Sequence, residues 1–143
     1  MERRLRRRKE AIEEARREYA EAVSDAVSLS GTLGHEGGSR SSMPGDPTGR
    51  GADRILRAGE RIRLAEAWET VMRQADEDFP PETVEGQIAQ MHYQARMSMA
   101  AIARLLNYER QTIVRRNDIY VQRVAWYAAK GGLLDGQDRA GAE

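Results

Sequence analysis

The chain contains no cysteine, which excludes disulfides, thiolate zinc sites and cysteine nucleophiles. It also has no apolar run near the ~18–20 residues that a membrane-spanning helix needs. The basic start (Arg3, Arg4, Arg6, Arg7, Arg8) is not followed by the apolar segment of a secretory signal. A cytoplasmic protein with no membrane partner is the expectation. Proline is confined to two short stretches and aromatic residues are few, and both scarcities favour an all-α fold. Charge of one sign is lacking too: 23 basic side chains balance 23 acidic ones, so composition alone makes no case for a polyanionic partner. The 143 residues suffice for one ordinary domain, or for one small domain with extensions.

What is present is helical patterning interrupted by one polar stretch. Residues 1–29 read as a charged helix with Leu5, Ile12, Tyr19 and Ala26 at seven-residue spacing and Ala15, Ala22 and Leu29 on an adjoining row. Residues 30–51 are rich in Gly, Ser, Pro and Asp and read as a flexible linker. It has no Gly-Lys-Ser/Thr triplet, so it is no phosphate loop, and its His35 stands alone. Residues 52–78 read as a long amphipathic helix with the stripe Ile55, Ala58, Ile62, Ala65, Trp68, Met72 and Ala75, stopped by Phe79-Pro80-Pro81. Two such stripes can pair within one chain or between two.

Residues 79–134 read as a separate domain of three helices, and 135–143 as a disordered tail. The first helix spans 82–96. His92 lies on it with no second ligand nearby to build a metal site. Ser98 is placed to cap the next helix, which carries Ile102, Ala103 and Leu106 inward. Asn107 falls where the chain needs a left-handed residue, which Asn tolerates well. Tyr108 is expected to plug the angle, and Glu109 or Arg110 to open the last helix. This spacing is that of a helix-turn-helix. The segment 99–130 is also locally basic, with Arg104, Arg110, Arg115, Arg116, Arg123 and Lys130 against Glu109 and Asp118, whereas the residues around Asp76 to Glu85 are acidic.

With the last helix in the major groove of double-stranded DNA, Arg110, Gln111, Val114 and Arg115 are the expected base contacts. Arg reads guanine, Gln reads adenine, and Val meets the thymine methyl. Arg104, Thr112 and Arg116 are the expected phosphate contacts, which position without specifying sequence. Ile113, Tyr120 and Val124 recur on the inner face as core, and Trp126 and Tyr127 read as packing residues.

On these residues the C-terminal half resembles the helix-turn-helix of sigma-factor region 4. The whole layout resembles the RinA/ArpU-type phage transcriptional regulators: a charged N-terminal helix, a polar linker with a D-P-T element (Asp46-Pro47-Thr48), a second long helix, and the run I-A-R-L-L-N…T-I-V-R-R. Two positions depart from that pattern, Glu109 where a small hydroxyl residue is usual and Arg116 where an aromatic is usual. The resemblance implies regulation of phage or prophage late genes in a bacterial host cell. RNA polymerase becomes a further candidate partner, and a homo-oligomer, with a dimer favoured, the assembly.

Two other readings compete. A phage small terminase subunit also couples such a module to helical oligomerisation, but usually places it first, whereas here it comes last. A helical interaction protein without DNA binding is the third. An enzyme is not expected: no acid–base pair, nucleophile triad or metal-ligand set converges in the pattern, and no cofactor is implied.

Overall fold

The computed structural model describes residues 1–32 and 47–135, with side chains described for 1–28 and 49–135. Among these residues the regular structure is entirely helical: α1 (Glu2–Arg6), α2 (Arg8–Thr32), α3 (Pro47–Asp78), α4 (Val84–Ala89), α5 (Met99–Leu106) and α6 (Arg110–Lys130), with a π-helical turn at Gln90–Gln94 continuing α4. The chain is all-α, as expected. No described helix is long and apolar enough to cross a membrane.

The helices differ in extent from the sequence reading. The first breaks at Arg7 (φ −99°, ψ 14°), separating α1 from α2. Helix also extends into both ends of the stretch read as linker, to Thr32 on one side and from Pro47 on the other. Proline suits the first helical position because the amide hydrogen it lacks has no intrahelical partner there. Residues 33–46 and 136–143, with His35, Asp46 and nearly all of the expected tail, lie outside the described residues.

The chain divides into two compact units. One, Lys9–Glu66, is a helical hairpin of α2 against the first part of α3. Arg16–Glu66 (3.9 Å), Glu18–Arg61 (2.5 Å) and Asp25–Arg54 (2.5 Å) pair in descending order, so the helices run antiparallel within the chain. Ala15, Ala22 and Ala58 are buried between them, and a Cβ on Gly59 would sit 3.8 Å from the Tyr19 ring.

The other unit joins Met1–Arg8 to the chain from Ala67 onward. By pattern alone these residues fall in four separate segments. Leu5 explains their union: it is only 4% exposed, packed among Trp68, Val71, Met72, Ala75, Tyr93, Tyr120, Val124 and Ala128. The arginines flanking Leu5 find partners around it. Arg4 lies over the Trp68 ring at 4.5 Å, and Arg8 binds both Glu69 oxygens (2.6 and 2.7 Å) and Asp76 (2.5 Å). Arg6 donates to His92 Nε2 (3.1 Å), and His92 Nδ1 meets the Met97 carbonyl at 2.8 Å. A guanidinium only donates and a carbonyl only accepts, so these two bonds select the neutral Nδ1–H tautomer. The buried His92 is thus a bridging core residue.

Residues 79–83 set the entry to α4. Thr83, three residues beyond Pro80, is the N-cap: its Oγ1 accepts from Gly86 N (3.1 Å) and donates to the Pro80 carbonyl (2.7 Å). Any Cβ at Gly86 would collide with the carbonyls of Phe79 and Pro80, so only glycine allows this tight approach.

Candidate nucleic-acid interface

The two helices around Asn107 are set by local chemistry. In α5, Met-Ala-Ala-Ile-Ala-Arg-Leu-Leu consists mostly of strong helix formers, and Ser98 Oγ caps it by accepting from Ala101 N at 3.1 Å. The helix ends at Asn107, which takes the left-handed conformation (φ 58°, ψ 45°). Tyr108 N then donates back to the Ala103 carbonyl at 3.0 Å, closing the helix end. Helix α6 begins two residues later. Its N-cap is Glu109, whose side chain makes no capping bond.

Beneath the turn lies a small apolar cluster. Ile88, Ile102 and Ile113 are fully buried with Ala103, and Val84, Met91, Met97, Met99 and Leu106 pack around them. This cluster ties α4, α5 and α6 together, so the first turns of α6 rest on a rigid base. Tyr108 does not plug the angle. It is 45% exposed, because the left-handed Asn107 swings the next side chain outward, and Leu106 fills the space instead. Leu105, at 62% exposed, is a further outward apolar residue beside the turn.

On α6, Ile113, Asn117, Tyr120, Val124 and Ala128 face inward. Gln111 and Arg115, four residues apart, are exposed on the opposite face. Val114 flanks them at 37% exposed, and Arg110 is exposed in the first turn. Thr112 is half-buried and Arg104 is exposed on α5. Asp118 follows Arg115 by three residues and is exposed, so the cationic part of this face is confined to the first turn and a half.

The acidic stretch noted in the sequence has a specific use here. Asp78 binds Arg123 (2.9 Å) and accepts from the Tyr127 hydroxyl (2.8 Å). Glu85 binds Arg116 (2.6 Å), and Asp76 accepts from the Tyr120 hydroxyl (2.7 Å) as well as from Arg8. Lys130 lies over the exposed Trp126 ring at 5.0 Å. Between residues 99 and 130 this leaves Arg104, Arg110 and Arg115 as the cations without a partner among the described residues. Of the seven side chains expected to meet DNA, Arg116 alone is held in an ion pair among the described residues, and Trp126, expected to pack, is exposed. Sequence reading missed the Glu85–Arg116 pair. The signal was there in the acidic stretch lying against a basic one, but the partner choice depends on α4 and α6 meeting in space.

Electrostatics follow the same division. Burial pushes the Glu85 carboxyl up, but the hydrogen bond from Arg116, a bond from its own backbone and the Arg116 charge together carry it below the usual carboxylate range. Burial raises the Tyr93 phenol to about 12, with neighbouring Asn117 tempering the rise. The Tyr120 phenol is raised by burial and by its bond to Asp76. Arg8 loses hydration on burial, and its two carboxylate partners more than restore its charged form. Among the described residues no three His, Asp or Glu side chains come within range of a common metal ion. No protein-family model matches the chain, and no curated protein or solved structure matches it significantly.

Proposed function

We propose that this chain binds double-stranded DNA through α5, the Asn107 turn and α6, with the start of α6 in the major groove. One observation carries the reading. Around a tight two-helix turn on an apolar base, Arg104, Arg110 and Arg115 have no partner among the described residues, while the neighbouring Arg116 and Arg123 are neutralised by carboxylates. Arg110, Gln111, Val114 and Arg115 are the base-reading candidates, and Arg104 and Thr112 are suited to phosphates. Confinement of the cationic face to the first turns of α6 agrees with a recognition helix that reads bases near its N-terminus.

The regulatory part of the proposal rests on the resemblance to phage transcriptional regulators. It makes the chain a regulator of phage or prophage late genes, acting as a dimer with RNA polymerase as a further partner. A two-fold dimer would read half-sites about one helical turn apart.

Pooled-duplex binding measured over a range of salt tests the reading. Three neutralised phosphates per domain give a log–log salt slope near −3. Arg110→Ala and Arg115→Ala should each relax preference at a defined base and cost ~1–3 kcal/mol. Binding that ignores salt, or variants that bind every duplex as the parent does, would reject it.

A further inference from the structure

Arg115 and Arg116 are adjacent in sequence and differ in their surroundings. Arg115 is exposed and has no partner among the described residues. Arg116 places NH1 2.6 Å from Glu85 Oε1, and the two side chains are 48% and 12% exposed. Glu85 sits in the first turn of α4, just inside the Thr83 cap, where the helix N-terminus favours a carboxylate. Burial alone would raise its carboxyl, and the hydrogen bond and charge of Arg116 bring it below the usual carboxylate range. Freeing Arg116 would leave the partly buried Glu85 carboxylate without its cation, which costs more than opening a fully exposed pair.

We infer that Glu85 withholds Arg116 from the DNA backbone, so that the Arg115–Arg116 pair acts on a polyanion as a single cation. The inference rests on the DNA-binding reading and sharpens it. A neutral ion pair draws no net attraction from phosphate and releases no counterion when it docks, so Arg116 adds little to affinity as long as Glu85 is charged. Glu85 therefore holds affinity below what the cations of α6 could deliver. That leaves a larger share of the binding energy to the base-reading side chains, because phosphate contacts carry no sequence information.

The test is a four-way cycle read by fluorescence anisotropy. The intact chain, Glu85→Gln, Arg116→Ala and the double variant are titrated with a labelled duplex of mixed sequence at several salt concentrations. Glu85→Gln keeps the shape and a hydrogen-bond acceptor, and circular dichroism verifies that each variant is folded. Glu85→Gln should tighten binding about three- to tenfold at low salt and steepen the slope by about 0.9, the increment for one more phosphate neutralised. Arg116→Ala alone leaves the Glu85 charge uncompensated and should weaken binding, whereas in the Glu85→Gln background it should return affinity and slope to those of the intact chain. The inference is overturned if the gain from Glu85→Gln survives Arg116→Ala, or if Glu85→Gln leaves affinity and slope unchanged while the intact chain still binds. Absence of salt-sensitive binding by the intact chain would remove the DNA reading and this inference together.

Discussion

The helical hairpin Lys9–Glu66 and the unit containing α4 to α6 use similar helices but close them differently. Among the described residues of the hairpin the buried side chains are alanines (Ala15, Ala22, Ala58), while Tyr19, Val27, Leu56 and Leu64 are exposed. Its ion pairs are exposed as well: Arg54, Arg61 and Arg16 keep 55–65% of their side-chain surface in water. In the other unit Met72, Ile88, Ile102, Ile113 and Val124 are wholly enclosed, and Arg8 bridges Glu69 and Asp76 at 19% exposure. Burial of large apolar groups stabilises by roughly 1.5–3 kcal/mol per side chain, whereas exposed pairs contribute about 0–1. Resistance to unfolding should therefore concentrate beneath the candidate interface. Both tryptophans, Trp68 and Trp126, lie outside the hairpin, so their fluorescence reports one unit while far-ultraviolet circular dichroism reports both.

The largest expected loss comes from opening the cluster under the turn. Ile113→Ala removes a fully buried side chain that meets Ile88, Ile102 and Ala103, and should cost about 2–5 kcal/mol by lost transfer energy and cavity formation. The tryptophan-monitored denaturation midpoint should fall accordingly. A loss below ~1 kcal/mol would mean that the cluster is not closed as described.

Next in size is an alkaline effect specific to this unit. The Tyr93 phenol is raised from 10 to about 12. The unfolded chain releases this proton near pH 10 and the folded chain holds it, so the stabilisation is complete below pH 10 and is lost as pH rises toward 12. Two units correspond to roughly 2–3 kcal/mol, and Tyr120 shifts in the same direction. Tyr93→Phe should flatten the decline in tryptophan-monitored stability above pH 10. An unchanged decline would show that Tyr93 ionises as freely folded as unfolded.

Periodicity carried the all-α class, the α6 core positions and the stripe on α3 straight into the structure, because each depends on a helix burying one face. Ser98 and Asn107 were legible for the same local reason, one as a cap and the other as a left-handed residue. Tyr108 was misread because being apolar does not decide direction: the backbone at Asn107 does. The docking of residues 1–8 was not legible at all. Leu5 fits the heptad of a continuous helix as well as it fits the core where it lies, and only the break at Arg7 separates the two. The same limit hid Glu85–Arg116, since pattern alone assigns no partner across 31 residues.

A smaller effect with opposite sign is expected at the start of α6. Glu109 stands at the N-cap without a capping bond, and Ser or Thr there would satisfy an amide that Glu leaves unmet. Glu109→Ser should stabilise the same unit by about 0.5–1 kcal/mol. It should also strengthen duplex binding under the DNA reading by removing an anion beside Arg110. A rise in melting temperature without any change in binding would separate the two effects.

The smallest expected effect lies in the hairpin and decides whether the contrast between the units is real. Arg61 and Glu18 meet at 2.5 Å, but their side chains are 65% and 39% exposed. At such exposure, solvent screening and the entropy of fixing two long side chains leave ~0.2–1 kcal/mol at most. Arg61→Ala should therefore shift the circular dichroism transition only slightly, leave the tryptophan transition in place, and lose even that small effect in high salt. If instead it lowered both transitions by the several kcal/mol expected of Ile113→Ala, the hairpin would be as tightly coupled as the core it is contrasted with. Surface ion pairing, rather than the buried clusters, would then hold the chain together.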